Sequence, residues 1–188
     1  MRIIAGKFRG RKLKVIRSSQ SRPTSEVARE ALFNILRDKV IGASFLDVCA
    51  GSGSVGLEAL SRGAAKVTFI ERNPICIATL QRNISMVGCQ KQAKVICSDA
   101  IAAMRRLLKM GEKFDIIFAD PPYGTNLANR LLEWLDENLG LLEEDGFIII
   151  QHSRRDSLSH SCSSLELLKS HSIGETVFSF YARKRSIH

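Results

Sequence analysis

Asp120-Pro121-Pro122-Tyr123 closes the apolar run Phe114-Asp115-Ile116-Ile117-Phe118-Ala119. Proline lacks a backbone N–H and fixes φ, so Pro121 and Pro122 halt a sheet ladder and hold the local carbonyls at set angles. The result is a stiff turn that offers the Asp120 carboxylate and backbone carbonyls as acceptors beside the flat face of Tyr123. A planar ring bearing an amino group suits it, stacked on the tyrosine with its N–H groups aimed at the acceptors. A nucleobase is such a guest.

Gly51-Ser52-Gly53-Ser54-Val55-Gly56 matches G-x-G-x-x-G directly after a predicted strand and at the opening of a helix. Its glycines allow close approach of backbone to ligand and of helix to sheet. Glu71 ends the next predicted strand, about 20 residues on, where a carboxylate can accept both hydroxyls of a ribose. The loop alone suits either an NAD-type dinucleotide or S-adenosylmethionine. Three features favour the methyl donor. Asp47, near the end of the first strand, is placed to meet a cationic amino group, which a methionine moiety has and a pyrophosphate lacks. Asp99 follows the third strand, positioned for an adenine amino group, although helix N-capping is an equally good use for it. The chain is also too short for the second half-fold that a dinucleotide bridges.

The formal charge of +9 is unevenly spread. Between Met1 and Arg22 stand Arg2, Lys7, Arg9, Arg11, Lys12, Lys14, Arg17 and Arg22, with no acidic residue among them. Arg154-Arg155 and Arg183-Lys184-Arg185 add smaller clusters. An acid-free basic segment attracts phosphates and gains from counterion release. This one also carries apolar residues spaced for strand pairing, which favours nucleic-acid contact over a merely solvated face. The five cysteines form no C-x-x-C pair, and the four histidines no H-x-x-x-H or H-E-x-x-H pattern. Reduced, buried thiols acting as small hydrophobes and no metal site are expected. No apolar run approaches the roughly 20 residues of a membrane span, and the N-terminus lacks the apolar stretch of a signal peptide. A cytoplasmic monomer is expected.

These motifs need elements to hold them. Arg2–Gly6 and Lys12–Ile16 read as short strands of a small N-terminal hairpin. Pro23 breaks what precedes it, and Thr24 is a candidate N-cap. A helix is predicted from Ser25 to Lys39, with Val27, Ala28, Ala31, Leu32, Ile35 and Leu36 on its inner face. Strands are then predicted at Phe45–Cys49, Lys66–Glu71, Ala93–Cys97, Phe114–Ala119 and Phe147–Gln151. Helices at Val55–Arg62, Pro74 to Gly88, Ala100–Lys109 and Leu127–Asn138 alternate with them, and Glu143–Gly146 reads as a turn. Leu165–His171 and Glu175–Tyr181 are joined too closely to be parallel. The predicted fold is α/β, an open, mainly parallel sheet that ends in an antiparallel hairpin. Residues 1–22 form a basic extension and residues 23–188 the ligand-binding domain.

The residues resemble class I S-adenosylmethionine-dependent methyltransferases, and in particular the RsmD-type enzymes that methylate guanine N2 in 16S ribosomal RNA. The resemblance runs from Met1 to about Gln151. It rests on Met1-Arg2-Ile3-Ile4-Ala5-Gly6 with the basic stretch after it, Arg22-Pro23-Thr24, Arg29 through Leu36, Asp47 through Gly56, Leu57 through Ala64, and Asp120 through Tyr123. Cys49 stands where that pattern has phenylalanine. The resemblance implies a Rossmann-like, seven-stranded fold and a donor site made by Asp47, Ala50, Gly51, Ser52, Gly53, Glu71, Arg72, Asp99, Ala100 and Asp120. Gly51 and Gly53 would line the methionine end, Glu71 would hold the ribose, and Asp99 with Ala100 the adenine. Asp120, Pro121, Pro122 and Tyr123 would hold the target base and form the catalytic set. Arg2, Lys7, Arg9, Arg11, Lys12, Arg22 and Thr24 would contact 16S rRNA or a small-subunit assembly intermediate.

Guanine's exocyclic nitrogen is a weak nucleophile because its lone pair is delocalised into the ring. Hydrogen bonds from both its N–H groups, to the Asp120 carboxylate and the Pro121 carbonyl, would favour a pyramidal nitrogen aimed at the methyl group. The alternatives are an adenine-N6 nucleic-acid methyltransferase, which shares the Asp-Pro-Pro-Tyr element, and a donor-binding RNA-binding module without catalysis. A protein glutamine methyltransferase would carry Asn in place of Asp120.

Overall fold

Seven strands form one sheet in the computed structural model, which describes residues 1–16, 25–158 and 162–185. They are β1 (Ser44–Val48), β2 (Lys66–Glu71), β3 (Ala93–Cys97), β4 (Phe114–Ala119), β5 (Leu142–Ser153), β6 (Leu165–Ile173) and β7 (Thr176–Arg183). Their order is β3-β2-β1-β4-β5-β7-β6. Neighbours from β3 through β5 pair parallel, and β7 pairs antiparallel with both β5 and β6. Only β7 is therefore reversed, slotted between β5 and β6 by the tight turn at Gly174. This is the α/β, mainly parallel architecture with an antiparallel end that the sequence pattern predicts.

The strands carry apolar side chains on both faces, as a sheet covered twice requires. On one face Phe45, Val67, Phe69, Ile116 and Phe118 pack under α1 (Glu26–Leu36), α2 (Ser54–Ser61) and α3 (Pro74–Val87). On the other, Leu46, Val48, Ile117, Ile148 and Ile150 pack under α4 (Ala100–Lys109) and α5 (Leu127–Glu137). The chain runs outward from β1 to β3, then returns across β1 to start β4. The order thus reverses between β1 and β4 and leaves a crevice at their carboxyl ends, where ligands of such sheets bind.

Local signals set most boundaries. Asn73 caps α3 through Ile75 N at 2.9 Å, Pro74 opens it and Gly88 at φ +73° closes it. β5 is longer than predicted and takes in Glu143–Gly146, with a register shift against β4 between Phe114 and Ile116. Glu143–Gly146 fall within that shift, between the pairs Phe114–Leu142 and Ile116–Phe147, so they form an irregularity of the strand and not a separate turn.

α1 is turned relative to its predicted face. Ser25 caps it, its Oγ accepting from Ala28 N at 3.1 Å, while Thr24, expected in that role, lies outside the described residues, as do Arg17 and Arg22. Val27 is 67% exposed, and the buried set is Ala28, Arg29, Leu32, Phe33 and Leu36. The cause is Glu58 on α2, fully buried, whose Oε2 lies 3.6 Å from Arg29 Nε. A buried carboxylate needs a cation and N–H donors, so the helix presents its arginine inward at the expense of Val27.

The N-terminal segment is a folded clasp. Its antiparallel pairing is reduced to the single bridge Arg2–Lys12, with Ile3 N donating to Arg11 O and Leu13 N to Met1 O. Ile3, Phe8 and Leu13 are buried in the core cluster beneath α1–α3. The Ile4 and Ala5 amides donate to Glu58, and the Phe8 amide to Ser61 Oγ. Gly6 passes so close to α2 that an added Cβ would lie 1.8 Å from the Ser61 carbonyl oxygen.

Candidate active site

Sheet register brings the chemistry-bearing residues into one row. Val48 pairs with Ile70 of β2 and with Ala119 of β4. One residue further along each strand stand Cys49, Glu71 and Asp120, and Glu71 in turn pairs with Cys97 of β3. Adjacent strands lie about 4.8 Å apart, which puts the Glu71 and Asp120 backbones about 10 Å from each other, one on each side of the glycine loop. Asp120 is fastened there by its own amide, which donates to Val48 O at 3.1 Å.

The loop is shaped by carboxylates. Asp47 Oδ2 accepts from Gly56 N at 2.9 Å and ties β1 to the first turn of α2. Glu71 Oε2 accepts from Gly51 N at 2.8 Å, and its Oε1 from Arg72 N and Asn73 N, each at 2.8 Å. Cys49, at φ +60°, and Gly51, at φ +55°, turn the chain off the strand. A Cβ at Gly51 would meet open space, so this glycine borders the crevice, whereas one at Gly53 would lie 2.2 Å from Leu80 Cδ1 of α3. Gly53 stands at φ +80°, so the left-handed backbone that favours glycine is shared by both positions, and Leu80 adds a close contact at Gly53.

Asp47, Glu71 and Asp120 gather three carboxyl groups at the crevice. Asp47 is 1% exposed. Burial, and then the charges of Asp120 and Glu71, outweigh its bond to Gly56 and push its carboxyl up to about 8. The Cys49 thiol is likewise pushed far up, by burial first and then by Glu71, Asp120 and Asp47. Three carboxyl groups therefore act on one another around the loop, an arrangement that invites a cation and resists a pyrophosphate.

The Asp120–Tyr123 turn stands at the carboxyl end of β4, with Pro121 buried and Pro122 exposed. Pro122 O accepts from Thr125 Oγ1 at 2.7 Å, which closes the turn. The Tyr123 ring is 39% exposed. Its hydroxyl accepts from Gln151 Nε2 of β5 at 3.2 Å and lies 3.4 Å from Thr176 Oγ1 of β7. Burial raises the Tyr123 phenol above its ordinary value. The aromatic platform is therefore held by both strands of the sheet's antiparallel end. Thr125, Gln151 and Thr176 were not singled out from sequence. Only Gln151 carried a signal, as a polar residue ending the apolar run Phe147–Ile150.

Asp99 lies at the carboxyl end of β3, exposed, and caps α4 with Oδ1 accepting from Ile101 N at 3.1 Å and Ala102 N at 3.3 Å. Ala100 beside it is buried, and Arg72 is exposed at the end of β2. Of the basic residues, Arg2, Lys7, Arg9, Arg11 and Lys12 are exposed. Arg11 is already engaged: its Nη1 donates to Met86 O at 3.3 Å and to Val87 O, capping α3, and its guanidinium sits 5.2 Å over the Phe8 ring. Arg2 pairs with Glu26 at 3.6 Å. Among the described residues no cluster of His, Cys, Asp and Glu could hold a metal ion, and no helix is long and apolar enough to cross a membrane.

Relatives match nearly the whole chain. Ribosomal RNA small subunit methyltransferase D of Haemophilus influenzae is 36% identical over 96% of this chain and 93% of its own length. The protein of the same name from Escherichia coli K12 is 35% identical over 98% of this chain and 90% of its own. The solved structure of a hypothetical protein from Thermus thermophilus superposes with a TM-score of 0.83 at 32% identity, covering 98% of this chain and 99% of that one. The family model described as conserved hypothetical protein 95 matches residues 1–182. The chain belongs to that family, together with the small-subunit ribosomal RNA methyltransferase D proteins.

Proposed function

We propose that this protein is an S-adenosylmethionine-dependent methyltransferase that methylates the exocyclic N2 of a guanine in 16S, small-subunit, ribosomal RNA. The observation that carries the reading is the row of carboxyl groups, Glu71 and Asp120 flanking the glycine loop with Asp47 behind it. A donor with a sulfonium and an ammonium group is stabilised in that field, and a dinucleotide pyrophosphate is not. The names of the relatives, taken with the basic clasp, support ribosomal RNA as the substrate.

When bound, the donor supplies an electrophilic methyl group. Gly51 and Gly53, with Ala50 and Ser52, would hold its methionine end, and Asp47 and Asp120 would favour its cationic groups. Glu71, whose oxygens also accept from the Gly51, Arg72 and Asn73 amides, would hold the ribose with Arg72 beside it, and Asp99 with Ala100 would hold the adenine. The chain's own work is to present the target nitrogen. Tyr123 stacks on the base, and the Asp120 carboxylate and Pro121 carbonyl accept from the two N–H groups. Asp120 is also the nearest acceptor for the proton released after transfer. The base must be unpaired or flipped to enter. Arg9 and Lys12 approach phosphates from the clasp. A single chain carries both halves of the site, which supports a monomer as the working unit.

Tritiated donor incubated with small-subunit rRNA or its assembly intermediates, followed by nucleoside mapping, tests the reading. Label on guanine N2 is expected. Label on adenine N6 instead, or donor binding without transfer to any of these RNAs, would overturn it.

A further inference from the structure

Asn83 lies within α3 with its side chain fully buried. Asparagine is a mediocre helix former and costly to bury unpaired, so its partners explain its place. Its Oδ1 accepts from the Lys14 amide at 2.9 Å, and its Nδ2 donates to the Lys14 carbonyl at 2.8 Å and to the Ser52 carbonyl at 3.0 Å. One amide thus spans two elements that are distant in sequence, the arm of the N-terminal clasp and the glycine loop. Neither the proposed donor set nor the proposed RNA set contains it. The arm around Lys14 has no strand ladder to hold it; beyond the bridge at Lys12 and the burial of Leu13, Asn83 takes both backbone groups of Lys14.

We infer that Asn83 is a positioning residue that makes the seating of the basic clasp and the shape of the donor loop depend on each other. RNA held on the clasp and donor held on the loop then raise each other's affinity. This rests on the proposed function, in which the clasp takes RNA and the loop takes the donor. With the arm seated, the Lys14 amide and carbonyl orient the Asn83 amide so that Nδ2 reaches Ser52 O and holds the Ser52–Gly53 peptide. With the arm lifted, a buried amide loses two partners and turns to replace them, and Ser52 O is released. Each ligand orders the same link, so the second to bind finds it already formed. The coupling is reciprocal by thermodynamic necessity.

The test measures the affinity of S-adenosylhomocysteine by calorimetry, with and without saturating small-subunit rRNA, together with hydrogen exchange of the amides from Gly51 to Gly56. In the wild type, RNA should tighten the product by about fivefold or more and slow the exchange. In Asn83→Ala that factor should fall to about one. Lys14→Pro, outside any helix or strand, removes the N–H that Asn83 Oδ1 accepts while leaving the carbonyl, and should lower the factor even if the α3 variant folds poorly. A wild-type factor of one, or variants that keep the wild-type factor, overturns the role of Asn83. Methyl transfer by the wild type is measured alongside. Its absence rejects the proposed function itself, whereas transfer with a factor of one rejects only the coupling.

Discussion

Asp120 and Asp47 belong to one negative field but do different work. Asp120 sits at the crevice with its backbone pinned to Val48 O, so replacing its side chain leaves the turn in place. Asp120→Ala should lower methyl transfer by roughly 10²–10³-fold or more, as loss of an oriented charge-stabilising group does. Donor affinity, read by calorimetry, should fall only modestly; full activity in the variant would sink the assignment. Asp47 titrates. Its carboxyl goes from 3.8, its ordinary value, up to about 8 in the fold. The folded state therefore binds a proton that the unfolded state lacks, and this contribution to stability is present below the lower value and lost as pH rises through the upper one. A cationic ligand prefers the ionised carboxyl. Donor binding should release a proton, and affinity should climb from about pH 6 to about pH 8. Calorimetry in two buffers of different ionisation enthalpy reads this directly. Equal heats in the two buffers would argue against it.

At the scale of elements, the clasp, α2 and α3 form a unit built on buried polar anchors. Glu58 takes two clasp amides and the Arg62 guanidinium, Ser61 takes a third amide, and Asn83 takes Lys14. Such anchors are specific because each would be costly if its partner left. Gly6 is the tightest point, at φ +81° and against the Ser61 carbonyl. Gly6→Ala should destabilise the protein by at least about 2 kcal/mol, from the left-handed backbone plus overlap. Urea unfolding measures this, and RNA methylation should fall, since the clasp that carries the basic residues is pushed off α2. The helix turned by Arg29 makes the same point. Periodicity placed Val27 inward, but a buried Glu58 required a guanidinium there.

At the scale of the molecule, a net charge of +9 makes RNA binding salt-dependent. Replacing Arg9 and Lys12 together should reduce the slope of log affinity against log salt by about 1.4, at about 0.7 per lost phosphate contact to single-stranded RNA. Filter binding across a salt series measures it, with donor affinity unchanged. Arg11 is not a clean probe of this kind, because its guanidinium caps α3. Much of this architecture was legible without coordinates. The bounds of β2, β3, β4 and α4 follow from apolar runs and caps in short windows, and the Asp-Pro-Pro-Tyr turn and glycine loop announce themselves by residue type. These are local properties, decided by propensity, periodicity and the φ limits of proline and glycine. Strand order and register are not local. That β1 lies between β2 and β4, in a register that sets Glu71 and Asp120 on either side of the loop, is decided by packing among distant segments. So are the tethering of Tyr123 by Gln151 and Thr176, and the grip of Asn83 on two separate elements. The sequence by itself determined which residues could do chemistry; tertiary structure decided which face one another, because the field around Cys49 exists only when three strand ends share one edge.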